Sequence, residues 1–183
     1  MNTGQTMLTI VALLLLGTTA LTVNSNNLNQ GTILRQTEIG MYAIGLATSY
    51  FEKASNLDFD ENSTLDSIVI NRNQLSITLG TDGGTEQANV DSTFNDFDDY
   101  NNYDFSNPIT NIDVFRVKIQ VYYIAETPPY AKVNAPYTTA TTTWYKQMDL
   151  QVIPTASRQA IEGGGATAGV DTIKMSYIYS YYQ

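Results

Sequence analysis

Hydrophobic and polar positions change their spacing along the chain, and each spacing predicts a different element. From Met7 to Val23 the residues run almost unbroken apolar, Met-Leu-Thr-Ile-Val-Ala-Leu-Leu-Leu-Leu-Gly-Thr-Thr-Ala-Leu-Thr-Val. As a helix this run is roughly 26 Å long, near the thickness of a bilayer's hydrocarbon core. No side chain ahead of Arg35 is ionisable. A helix of this kind cannot stand alone in water and belongs in a membrane or inside an assembly. Met7, Leu8, Ile10, Val11, Leu13, Leu14, Leu15, Leu16, Leu21 and Val23 are therefore the expected assembly core. A cleaved secretory signal would carry a basic n-region, and Met1-Asn-Thr-Gly-Gln-Thr has no Lys or Arg. That weighs against a cleaved signal and leaves a permanent anchor or a packing helix as the expectations.

Between Asn24 and Gly31 the chain reads Asn-Ser-Asn-Asn-Leu-Asn-Gln-Gly, where helix propensity collapses and a broken or thinned helix is expected in the assembled state. The helical period resumes from Thr32 to about Ala54. Ile33, Leu34, Met41, Ile44 and Phe51 gather on one side, and Ile39, Ala43, Leu46, Ala47 and Tyr50 on another. One small β-domain can cover only one of these faces, so the other is expected to meet neighbouring subunits.

Beyond Asn56 the period becomes two. Leu65 to Ile70 and Leu75 to Leu79 predict a hairpin around Asn71-Arg-Asn-Gln74, followed by a Gly-rich acidic loop from Gly80 to Pro108. Val114 to Ile124 alternates strictly, with Phe115, Val117, Ile119, Val121 and Tyr123 on one face. Trp144 to Val152 repeats the pattern, with Lys146 as the odd member beside Trp144, Met148, Leu150 and Val152. After Gly163-Gly-Gly165, the stretch Thr172 to Tyr182 places Ile173, Met175, Tyr177, Tyr179 and Tyr181 together. The fold class is α+β: an N-terminal helical region, residues 1–55, and an antiparallel β-domain, residues 56–183, of about four or five strands.

Composition narrows the chemistry. Across 183 residues there is no Cys and no His, so disulfides, thiolate metal sites and the commonest general base are all missing. Ser/His/Asp and Cys/His nucleophile systems are excluded, and no enzyme activity is expected. The formal charge of −9 argues against nucleic acid. Acid concentrates between Asp58 and Asp104, where Arg72 is the lone base. Within this stretch Asp60, Glu61, Asp96, Asp98 and Asp99 could supply oxygens to a hard cation such as Ca²⁺, which takes roughly six to eight. The competing reading has Asp98 and Asp99 capping turns or accepting backbone N–H groups while Phe94, Phe97 and Tyr100 pack inward. Tyr177, Tyr179, Tyr181 and Tyr182 are expected to pack in the core or at interfaces, with a sugar-stacking surface as the alternative. Asn62-Ser63-Thr64 matches the N-glycosylation triplet.

A short leader ending in Gly4, an apolar stretch running into an amphipathic helix and then an antiparallel sheet resembles the type IV pilins and pseudopilins. The paired motifs Phe59-Asp60-Glu61-Asn62 and Phe94-Asn95-Asp96-Phe97-Asp98-Asp99-Tyr100-Asn101 resemble those of minor pilins of the mannose-sensitive haemagglutinin type. The leader departs from the family in lacking a basic residue before Gly4, and cleavage there would put Thr9 where the family carries Glu. The resemblance implies a subunit that polymerises with itself into an extracellular filament at the cell surface. Before assembly it would reside in a bacterial inner membrane and be handed on by pilus-type machinery. Alternatives are a minor pseudopilin of a secretion machine and a membrane-anchored carbohydrate-binding module.

Overall fold

The computed structural model describes residues 3–64, 68–155 and 172–182. One α-helix, α1, runs from Thr3 to Ser55. Four strands follow: β1 (Asp104–Ile109), β2 (Asp113–Tyr123), β3 (Tyr145–Pro154) and β4 (Ile173–Ser180). They form a single antiparallel sheet in the order β1-β2-β3-β4. The Gly163–Gly165 loop expected before β4 lies outside the described residues.

The chain divides into two units, Met1–Glu38 and Ile39–Gln183. In the first, α1 is long and apolar enough to cross a membrane, and its side chains from Met7 to Val23 are exposed. No interruption occurs between Asn24 and Gly31, where α1 is continuous. In the single chain, propensity at single positions is a weak force beside helix cooperativity. Ending one helix and starting another within so few residues would require a second costly nucleation. Thr hydroxyls add support by folding back onto the preceding turn, as in Thr32 Oγ1 to Leu28 O at 3.1 Å.

In the second unit, Ile39, Ala43, Ala47, Tyr50 and Ala54 recur at helical spacing and are buried against the sheet. The other apolar side remains open, with Met41 and Ile44 exposed. The helix from Ile39 onward goes with the sheet because it carries one wall of the core. The opposite wall is built by the inward residues of three strands. Phe115, Val117, Ile119, Val121 and Tyr123 of β2 face Lys146, Met148, Leu150 and Val152 of β3, and Met175, Tyr177 and Tyr179 of β4 complete the layer.

Two expectations are corrected. No hairpin forms from the described parts of Leu65–Ile70 and Leu75–Leu79, because their backbone donors go to side chains instead of a ladder. Gln74 Oε1 accepts from Ile70 N and Asn71 N, Tyr181 Oη accepts from Val69 N, and Asp60 accepts from Ser76 N. Conversely, β1 arises inside the expected loop. Its Asp-Phe-Ser-Asn-Pro-Ile sequence is poor in strand formers, but an edge strand tolerates Pro108. Arg116 on β2 clamps Asp104 through two bonds of 2.7 Å.

Candidate functional site

Just beyond α1, Asp58 and Asp96 form an isolated parallel bridge, with Phe97 N donating to Asp58 O at 2.8 Å. This short pairing lays the two acidic motifs side by side beneath β3. The inward position of Lys146 in β3 then points a cation at them. Lys146 Nζ donates to Asp60 Oδ1 at 2.6 Å, to Asp98 Oδ1 and to Phe59 O at 2.8 Å. Its side chain has no solvent exposure. The Phe59 ring centroid lies 4.6 Å from Nζ and the Tyr123 ring 5.3 Å away.

The two carboxylates on Lys146 differ in their other partners. Asp60 is supplied with donors: Ser76 N at 2.9 Å, Asn62 N at 3.3 Å and the Tyr123 hydroxyl at 3.2 Å. Burial pulls the Asp60 carboxyl up, but Lys146 and these donors together hold it below the usual range. For Asp98, burial outweighs the pull of Lys146, and the neighbouring Asp60 adds repulsion, so its carboxyl is pushed up to about 6. One ammonium cannot fully neutralise both. Lys146 itself is pushed up, since burial, which opposes its charge, is outweighed by Asp98, Asp60 and Asp96.

Asp96 and Asp99 serve the turn Asp98–Tyr100. Asp96 Oδ1 accepts from Asp98 N at 2.9 Å and Asp99 N at 3.1 Å, while Asp99 Oδ2 accepts from Asn95 N at 2.9 Å. Burial, with the Asp98 charge beside it, raises Asp96 to about 9; burial raises Asp99 to about 6. Phe94, Phe97 and Tyr100 pack inward, as the turn-capping alternative expects. Glu61 sits half-buried in the turn after Asp60. Of the five acidic residues considered for Ca²⁺, Asp60 and Asp98 are thus engaged by a lysine, and Asp96 and Asp99 by backbone amides. Among the described residues no three acidic side chains are arranged to hold a metal ion.

Lys146 is the residue that sequence reasoning left out of the site. Its signal was present: a charged residue on the inward register of an otherwise apolar strand needs a buried partner. Asn62, in the glycosylation triplet, is exposed and spends its amide nitrogen on Gln74 O at 2.9 Å. Of the four C-terminal tyrosines, Tyr177 packs on Phe51, and Tyr179 on Phe97 and Phe59. Tyr181 stacks on Trp144, with ring centroids 5.2 Å apart, and Tyr182 is exposed. The first three are half-buried and pack against the core.

The fold is that of an α+β protein with one long apolar N-terminal helix whose last turns pack on an antiparallel sheet. That arrangement is compatible with a pilin-like fold. No protein-family model matches the chain, and comparison with curated proteins and with solved structures gives no match.

Proposed function

We propose that this protein is a structural subunit that polymerises with itself into an extracellular, pilus-like filament through its N-terminal helix. The observation that carries the reading is the bare apolar surface of α1. From Met7 to Val23 each large apolar side chain is more than half exposed, and no charged side chain precedes Arg35. Gathering such helices removes apolar area from water at about 25 cal/mol per Å². The polar atoms on this stretch are compatible with burial. Thr9, Thr18, Thr19 and Thr22 each donate their hydroxyl to a carbonyl one turn back, so no side-chain donor is stranded among apolar neighbours. The exposed amides from Asn24 to Gln30 offer hydrogen bonds to adjacent copies, and the open Met41 and Ile44 side offers a second contact.

Before assembly the helix would reside in a membrane, which its length and composition suit. Leaving lipid gains little hydrophobic free energy, so a pilus-type assembly machine would drive the transfer. The same span supports a second reading, a permanent membrane anchor. Electron microscopy of cell-surface material separates them. Homogeneous fibres composed of this chain support the filament; a protein that stays in the membrane fraction and is monomeric in detergent supports the anchor. Short assemblies containing other subunits would indicate a pseudopilin.

A further inference from the structure

A primary amine enclosed with two carboxylates and two aromatic rings is arranged for more than an ion pair. We propose that Lys146 and Asp98 condense into an intramolecular amide, Nζ to Cγ, which joins β3 covalently to the turn Asp98–Tyr100. This inference is independent of whether the chain forms filaments.

Geometry supplies the first argument. Three acceptors, Asp60 Oδ1, Asp98 Oδ1 and Phe59 O, fix Nζ at one point, with the Asp98 carboxyl in hydrogen-bond contact. Holding reactants this way corresponds to effective concentrations of about 10⁵–10⁸ M, far beyond what free amine and acid reach in water. The enclosure supplies the second. Lys146 and Asp60 have no exposed side-chain surface, and Phe59 and Tyr123 cover the amine. Burial opposes charge on the amine while the carboxylates around it hold its proton, so a proton shift inside the enclosure is what frees the amine, and the closed surroundings keep out bulk water and expel the water that condensation releases.

The differing partners of the two carboxylates assign their roles. Asp60, held charged by Ser76 N, Asn62 N and the Tyr123 hydroxyl, is the proton relay. Asp98, raised by burial, is the carboxyl more easily protonated and is the electrophile. Asp60 passes one ammonium proton to Asp98, leaving a neutral amine and a carboxylic acid. The nitrogen lone pair attacks Asp98 Cγ, the C–N bond forms, and the carbonyl electron pair moves onto oxygen. Asp60 takes a second proton from nitrogen and delivers it to the departing hydroxyl, which leaves as water when the carbonyl re-forms. Ammonium and carboxylate thereby become one amide and one water, with no redox partner or co-reactant.

Mass spectrometry of the folded full-length chain, purified in detergent and then denatured, tests this. The intact mass should lie one water below the sequence mass, and trypsin should fail to cut after Lys146. The digest should instead yield the peptide Asn73–Arg116 joined to Val133–Arg158, with fragmentation placing the link at Asp98 and Lys146. Lys146→Arg should restore the full sequence mass, and Asp60→Asn should leave the uncondensed chain as the main species. A wild-type protein of full sequence mass, cleaved normally after Lys146, overturns the proposal without recourse to any variant. A link from Lys146 to the peptide Ala54–Arg72 overturns the assignment of Asp98 as the acceptor.

Discussion

Lys146 Nζ stands 2.6 Å from Asp60 Oδ1, and neither side chain touches solvent. Lys146→Met removes the cation from this enclosure and leaves Asp60 and Asp98 facing each other. Truncating one partner of a buried pair costs about 3–5 kcal/mol. Urea unfolding should show that loss as a much lower midpoint. A loss of about 1 kcal/mol or less, the range of an exposed pair, would contradict the enclosed geometry.

Ala43, Ala47 and Ala54 are fully buried where α1 meets the sheet, interleaved with the larger Ile39 and Tyr50, so the methyl positions leave no room for a longer side chain. Ala47→Leu should overpack this contact and destabilise the protein by about 1–3 kcal/mol. Ile44→Leu, on the open side of the same helix, should change stability by no more than about 0.5 kcal/mol. Equal effects at both positions in chemical denaturation would show that the helix does not pack as described.

Acidity should stabilise this domain over an unusual range. Asp99 and Asp96 are raised to about 6 and about 9, whereas in the unfolded chain they titrate near 3.8. Between those values the folded state holds protons that the unfolded state has released. Their contribution is complete below about pH 4 and is lost as pH rises through the folded values. Asp104 acts oppositely: its hydrogen bond from Arg116 lowers it, so its contribution is present above its ordinary range and disappears in stronger acid. Thermal melting should therefore peak near pH 4–6 and fall toward pH 9, and Asp99→Asn should flatten the lower part of that fall. A melting temperature that climbs steadily from pH 5 to 8 would contradict it.

The filament reading makes its own demand on α1. Leu14 is exposed in the single chain, and Leu14→Arg should leave the β-domain folded while placing an unpaired charge among apolar helices. Its cost on burial is several kcal/mol, roughly enough to abolish assembly. Fibres of normal yield from this variant, counted by electron microscopy, would remove the helix from the polymer core.

Periodic segments were legible without coordinates. The alternation in β2, β3 and β4 named their inward faces, and the Ile39-Ala43-Ala47-Tyr50 stripe named the buried side of α1. Positions governed by tertiary partners were not. β1 has little strand propensity of its own and exists because β2 offers an edge and Arg116 clamps Asp104. The expected hairpin around Asn71 lost its backbone donors to Gln74, Asp60 and Tyr181, the last of which is distant in sequence. Within the site, the acidic motifs were visible as motifs, but the bridge between Asp58 and Asp96 that aligns them depends on backbone geometry. Lys146 was seen on its strand without its partners, since the residues that meet it come from two separate loops.

The position of Asp60, shortly after α1 ends at Ser55, gives its contact with Lys146 a mechanical meaning. In the proposed filament, tension arriving along the helix would not have to travel through the long segment between residues 61 and 97. It would pass at Asp60 into β3, a strand paired with β2 on one side and β4 on the other. The ladders on either side of β3 would then share that load.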